Sequence, residues 1–158
     1  MARIKEQVAL QQRAARPVEL LSPDRDPEVR ARACTHAFPR RHASVSAARR
    51  RVHAHLRACD LPGELCDLAE LVVSELVTNA VLRTESSVVS CTAQVFAHGV
   101  RVAVDDEGPA DAPPSGHGMF LVDRVAGSWG TLPGADGRGR TVWASVCLAD
   151  AESGRAER

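Results

Sequence analysis

Residues 70–84 form the stretch ELVVSELVTNAVLRT, which sets two polar side chains, Glu75 and Asn79, in an otherwise apolar run. From Leu65 to Arg83 the apolar residues recur at the spacing of one helix face, which predicts a helix. Glu75 and Asn79 are four residues apart and project side by side, and we place both on the inward face. A buried carboxylate without a partner is costly, so we expect a ligand, ion or water to meet this pair.

The elements before and around this helix follow from local signals. A first edge strand is expected at residues 34–38, followed by a helix that Ser44 or Ser46 caps and that ends near Cys59. Two strands are expected at residues 88–96 and 100–106, because the intervening His98-Gly99 suits a tight hairpin.

The last third of the domain contains a short helix and two further strands. The segment MFLVDRVAG predicts a helix that Gly118 opens and Gly127 stops, and SWGTLP and TVWASVCL alternate as strands do. The predicted order is therefore β-α-α-β-β-α-β-β. This order favours an α+β fold, a two-layer sandwich in which helices cover one face of a mixed, mostly antiparallel sheet.

Length and composition point to one domain with tails. The chain has 158 residues, 44% of them apolar, which is enough for one real core. We expect a mobile basic tail over residues 1–33, where three prolines lie among charges, a domain over 34–149, and a disordered tail over 150–158.

Charge is unevenly divided although the formal net charge is zero. Residues 1–57 hold 13 Lys or Arg against 5 Asp or Glu, and residues 58–158 hold 7 against 15. A basic segment can contact nucleic acid or an acidic partner, but it is also typical of a solvated tail and helix face. Since no DNA-binding module is visible, we expect no direct nucleic-acid binding.

The cysteine content and the hydropathy of the chain indicate the cellular compartment. Five cysteines, odd in number and without a C-x-x-C pair, argue against a disulfide framework and favour a reducing cytoplasm. The N-terminus lacks an apolar segment of signal-peptide length, and no window approaches the ~18 apolar residues of a membrane span. We therefore expect a cytoplasmic protein without membrane contact.

Three further motifs bear on the polar pair of the helix. The predicted strand VAVDD runs into EGPA, then Gly116-His117-Gly118 opens a helix, and Gly139-Arg140-Thr141 opens the last strand. With these motifs, residues 35–148 resemble the Bergerat-fold ATPases, the superfamily of gyrase, heat-shock chaperones, histidine kinases and mismatch-repair proteins. The branch they resemble most is that of the bacterial anti-sigma-factor serine kinases.

The resemblance implies a role for each motif residue. Asn79 would coordinate Mg²⁺ and Glu75 would be the catalytic base. Asp106 would accept a hydrogen bond from the adenine amino group, Gly108 would let the backbone approach the base, and Thr141 would support the adenine side. The phosphates would lie against Gly116, Gly118 and the amides that open the helix, that of Met119 among them.

For function, the resemblance implies a regulatory protein that binds ATP and Mg²⁺. It would be an anti-sigma factor that phosphorylates a serine or threonine of an anti-anti-sigma partner, binds a sigma factor and forms a homodimer. Two alternatives remain open. One is a non-catalytic module that sequesters its partner with ATP or without nucleotide, and the other is a fold in which Glu75 and Asn79 are merely structural.

Two apparent motifs are set aside. The segment GADGRGRT, residues 134–141, has the spacing of a P-loop, but Arg140 replaces the required lysine and a strand pattern follows instead of a helix. His55 and Cys59 share a helix face at four-residue spacing, yet no further metal ligand accompanies them.

Overall fold

The computed structural model describes residues 32–83, 87–96, 99–108, 117–134 and 138–148. Five strands and three helices lie in these ranges. In chain order they are β1 (Ala33–Pro39), α1 (Ala43–Ala58), α2 (Gly63–Arg83), β2 (Val88–Phe96), β3 (Gly99–Asp106), α3 (His117–Val125), β4 (Ser128–Pro133) and β5 (Arg140–Val146). The predicted order is confirmed. The described ranges do not include residues 1–31 and 149–158, which contain nearly all of the two predicted tails, or the motif residue Gly116.

The strands form one sheet in the order β1-β2-β3-β5-β4, and every pairing is antiparallel. The α+β class is confirmed, but the parallel component of the expected mixed sheet is not found among the described strands. A strand-helix-strand unit favours parallel neighbours. Here β3 and β4, which α3 connects, do run in the same direction, but β5 lies between them and is antiparallel to both.

The β2–β3 hairpin matches the prediction closely. Phe96 and Gly99 are register partners at its end, so the strands begin and end within one residue of the expected positions. Gly99 is required there because a Cβ at this position would lie 2.2 Å from the Val146 carbonyl oxygen. The close approach of β5 therefore depends on the absence of a side chain at Gly99.

All three helices contribute buried side chains to one core on one face of the sheet. In α1, Ala48, Val52 and Leu56 recur every four residues and are buried, the pattern of a helix that packs one face against a core. Neither Ser44 nor Ser46 caps α1, contrary to expectation, because the helix begins at Ala43, after His42, and both serines lie inside it. The Ser44 hydroxyl instead donates a hydrogen bond to the Pro39 carbonyl and ties α1 to the end of β1.

The two faces of the sheet have different neighbours, because successive strand residues alternate between them. Val100, Val102 and Val104 of β3 belong to the core shared with the helices. Ala103 and Trp143 form a separate buried cluster, against which Leu132 packs. We call the first the helix face and the second the outer face. Trp129 and Trp143 are both buried, but they lie on opposite faces.

Residues 134–141 do not lead into the helix that a P-loop requires, since residues 140–146 form a strand. In the described ranges no helix is long and apolar enough to span a membrane. All five cysteines lie in the described ranges and none of them forms a disulfide. The Cys59 sulfur lies 4.0 Å from His55 Nε2.

Candidate functional site

Helix α2 places Asn79 in the interior of the domain. Its side chain is 7% exposed, and its amide nitrogen Nδ2 is buried without a hydrogen-bond partner. A buried donor without a partner costs roughly 1–3 kcal/mol. An inward polar residue at this position was predicted, and the unpaired amide is the kind of group that a bound ligand satisfies.

Glu75 lies one turn before Asn79 but is only partly buried, so the expectation that both side chains face inward is wrong for the acid. Four residues of an α-helix cover slightly more than one turn, which offsets the two side chains by about 40°. Asn79 lies at the edge of the buried face of α2, and Glu75 lies beyond that edge. The carboxylate is therefore within reach of a second molecule.

At the end of β3, the Asp106 carboxylate organises the turn that follows. Its Oδ1 accepts a hydrogen bond of 2.7 Å from the backbone N–H of Gly108. Asp106 shares the helix face with Val104, since alternate strand residues point the same way. The neighbouring Asp105 is exposed, whereas Asp106, which stands two residues before Gly108 in the motif, is buried.

Arg140 of β5 compensates the charge of this carboxylate. The two residues are register partners, and Arg140 Nε lies 3.4 Å from Asp106 Oδ2. The side chains are 2% and 1% exposed, so the pair is removed from water. Sequence reasoning missed Arg140 as a site residue, because only the β3–β5 register places it opposite Asp106.

Gly139 permits the close approach of the same two strands. Its φ of +69° lies in the left-handed region, and a Cβ there would lie 2.2 Å from the Asp106 carbonyl oxygen. Only glycine suits both conditions. The glycine of this motif therefore positions the Asp106 backbone directly.

Thr141 is not brought together with Asp106. Its hydroxyl bonds to the Asp105 carboxylate on the outer face. Adjacent residues of β5 point to opposite faces, so Arg140 faces the helices and Thr141 faces away from them. The side chain that meets Asp106 is thus Arg140, and any support from Thr141 to the adenine side would have to come from its backbone.

Helix α3 supplies the remaining motif residues. It begins at His117, and Gly118 and Met119 lie in its first turn, which contains no acidic residue. Met119 is buried in the core shared with α2. The first backbone N–H groups of a helix have no partner within it and carry partial positive charge, which suits an anion. Through these backbone N–H groups, Gly118 and Met119 would donate hydrogen bonds to phosphate.

The elements that carry the motifs meet on the helix face, since α2 packs against β3, β5 and α3. The arrangement combines an unpaired buried amide, a buried carboxylate acceptor and a helix N-terminus. Mg²⁺ takes oxygen ligands and in nucleotide sites keeps several waters beside one or two protein side chains and the substrate phosphates. The residues present fit Mg²⁺-ATP: Asn79 would hold the metal through its amide oxygen, and its unpaired Nδ2 would donate to an oxygen of the nucleotide. Asp106 would accept from the adenine amino group.

Comparison with known proteins agrees with this geometry. A comparison with curated proteins gives no match. Residues 38–150, more than two thirds of the chain, match the model of the histidine kinase-like ATPase domain. This match covers the described elements from the end of β1 to β5. The chain therefore belongs to the histidine kinase-like ATPase domain family, and ATP binding is the activity that its fold supports.

Proposed function

We propose that the protein is an ATP-dependent serine/threonine protein kinase of the anti-sigma-factor type, acting on an anti-anti-sigma protein. The observation that carries the proposal is the relation between Glu75 and Asn79 on α2. Asn79 is buried with an unpaired amide, and Glu75, one turn away, is partly exposed. A base that serves the hydroxyl of another protein must be reachable from outside, and Glu75 meets this condition.

In this proposal Mg²⁺-ATP, when bound, supplies the phosphoryl group and offsets its charge. Glu75 accepts the proton of a serine or threonine hydroxyl as the hydroxyl oxygen bonds to the γ-phosphorus. The bond between that phosphorus and the β,γ-bridging oxygen breaks, and ADP leaves with the electron pair. The products are a phosphorylated partner and ADP.

The other residues bind and orient the nucleotide. The Asp106 carboxylate has acceptor capacity beyond its bonds to Gly108 and Arg140, because each oxygen carries two lone pairs. It can therefore accept a hydrogen bond from adenine. Gly108 leaves room beside the base, and the backbone N–H groups of Gly118 and Met119 at the start of α3 would face phosphate. Gly116 is assigned to the phosphates by its motif alone.

Protein partners are part of the proposal. Leu82 at the end of α2 is 67% exposed, and Phe120 and Leu121 of α3 are exposed as well. Large exposed apolar side chains are typical of protein contact surfaces when they are grouped. The two helices that carry these side chains pack together, and their exposed apolar side chains support contact with another protein. We propose a sigma factor and an anti-anti-sigma protein as partners, and a homodimer as the assembly.

The test is phosphotransfer from radiolabelled ATP to candidate anti-anti-sigma proteins, comparing the wild-type protein with Glu75→Gln. The proposal expects labelling of one serine or threonine by the wild type only, while both proteins bind ATP equally. ATP binding without transfer to any candidate would favour the alternative, a non-catalytic module that sequesters its partner. That alternative is also consistent with the exposed apolar residues of α2 and α3.

A further inference from the structure

The side of α2 that carries Glu75 is apolar, although it is not buried. Seven residues complete almost two turns of an α-helix, so Leu68 and Leu82 lie within about 20° of Glu75 around the helix axis. Leu71, one turn before Glu75, lies about 40° further from the buried face. Leu68 and Leu71 are partly buried, and Leu82 is 67% exposed. We call Leu68, Leu71 and Leu82 the leucine row.

The other uncovered flank of α2 is polar. Asp67, Glu70 and Ser74 recur there at intervals of three and four residues, which places them on one side of the helix. Glu70 Oε2 lies 3.2 Å from Nδ1 of His53 on α1, so this flank faces α1 and solvent. Polar residues beside a buried stripe are what a surface helix normally carries. The leucine row departs from that pattern, and grouped exposed apolar side chains are typical of a contact surface.

The residue at the centre of the leucine row indicates what covers it. Glu75 is partly exposed and forms no ion pair within the described ranges. As the base of the proposed kinase it must receive a hydroxyl from the side of the leucine row, because the core and α1 occupy the other sides of α2. The chain that brings the hydroxyl to Glu75 therefore crosses the leucine row.

We infer that the leucine row selects the serine or threonine that is phosphorylated, by binding apolar side chains on both sides of it. This inference rests on the proposed function. Along the helix axis Leu71 lies about 6 Å before Glu75, and Leu82 lies about 10 Å after it. An extended chain advances about 3.3 Å per residue, so these distances correspond to about two and about three residues of the substrate. The substrate therefore carries apolar residues within about four positions of the acceptor on each side.

The test uses serine peptide libraries as the probe, with radiolabelled ATP. Each library has a central serine and about four positions on either side, one fixed as leucine or as aspartate and the others mixed without serine or threonine. At one position on each side, we expect the leucine library to be labelled at least about fivefold more than the aspartate library, the effect of burying part of one apolar side chain. Glu75→Gln should label neither library, which excludes a contaminating kinase.

Substitutions in the leucine row should reverse this selection. Leu82→Arg should turn the preference for leucine into one for aspartate on one side of the serine, and Leu71→Arg should do so on the other side, because an arginine pairs with a carboxylate. ATP affinity should stay within about twofold in both variants, since neither side chain lies in the nucleotide site. Val88→Arg is the matched control. Val88 is 47% exposed and, by alternation with the buried Val89, lies on the outer face, so this variant should keep the wild-type preference.

Three outcomes would overturn the inference. One is equal labelling of the leucine and aspartate libraries by the wild type. Another is a preference that Leu82→Arg and Leu71→Arg leave unchanged, which would assign the leucine row to a sigma factor or to a second copy of the chain. The third is labelling of a candidate anti-anti-sigma protein without labelling of any library, which would leave the proposed function standing. Labelling of neither the proteins nor the libraries would reject the proposed function as well.

Discussion

Arg140 Nε lies 3.4 Å from Asp106 Oδ2, and both side chains are withdrawn from water. The pair joins the last residue of β3 to the first residue of β5, and the other carboxylate oxygen receives the Gly108 N–H. The acid that is proposed to recognise adenine is thus held on two sides before any nucleotide arrives. Preorganised acceptors of this kind lose little entropy on binding.

The first prediction concerns that pair. Arg140→Met should destabilise the protein by about 3 kcal/mol, because removal of one partner leaves a buried charge uncompensated. Urea unfolding at pH 7 measures the effect. Arg138→Met, two residues earlier and exposed, should change the free energy of unfolding by less than about 0.5 kcal/mol. Equal stability of the two variants would show that the pair contributes nothing.

Gly139→Ala should destabilise the protein by more than about 1 kcal/mol, since it combines a positive φ with a Cβ against the Asp106 carbonyl. Its control is Gly63→Ala at the start of α2, where nothing lies within 4 Å of the added Cβ. That variant should be neutral or slightly stabilised. Thermal unfolding of both distinguishes local strain from a general effect of removing glycine, and equal melting temperatures would contradict the argument.

A structural feature of this protein can be predicted from the sequence when it depends on residues that are close together in the chain. Hydrophobic spacing predicts α2 to within two residues, and the strand pattern around a turn predicts the β2–β3 hairpin to within one, because periodicity and turn chemistry act over a few positions. The helical spacing also predicts that Asn79 is buried. It overestimates the burial of Glu75, because a step of four residues turns the Glu75 side chain by about 40° relative to that of Asn79, beyond the edge of the buried face.

The rest of the site depends on contacts between distant segments. Whether Thr141 or Arg140 faces Asp106 is decided by the β3–β5 register, and a shift of one residue would exchange their faces. The exposure of Leu82 likewise depends on which distant segments pack against α2, although helical spacing alone places it on the side of Glu75.

Cys91 provides a prediction about pH. Burial, and more weakly Cys34 and Asp105, raise the pKa of the Cys91 thiol to about 12 from an ordinary 9.0. The folded state therefore keeps a proton that the unfolded state releases above pH 9. The stability that this group contributes is complete below pH 9 and is lost as the pH rises toward 12.

The chain makes this effect measurable because it has no tyrosine and a single lysine. Between pH 9 and 11 the unfolding free energy should fall, and Cys91→Ala should reduce the slope by up to about 1.4 kcal/mol per pH unit. Cys147→Ala is the comparison, since Cys147 is only partly buried. An unchanged slope in Cys91→Ala would contradict the assignment.

Glu75→Gln should lower phosphotransfer to a protein partner by at least about a hundredfold, the usual contribution of a general base. ATP affinity should stay within about twofold, because the side chain lies outside the buried part of the site. Glu70→Gln, a partly buried acid on the same helix that contacts His53, is the control and should retain transfer. Full activity of Glu75→Gln would exclude it as the base.

The central claim, that Mg²⁺-ATP binds at Asp106 and Asn79, is tested most directly by calorimetric titration with ATP, with and without Mg²⁺. The wild type should show saturable binding that Mg²⁺ strengthens. Asp106→Asn should weaken ATP binding by about tenfold or more, and Asn79→Ala should lose the strengthening by Mg²⁺. Asp105→Asn, which changes the neighbouring acid on the outer face, should bind ATP normally. Two results would contradict the claim. One is no binding to the wild type at about 1 mM ATP, a concentration that saturates ordinary nucleotide sites. The other is an equal loss of ATP binding in Asp105→Asn and Asp106→Asn.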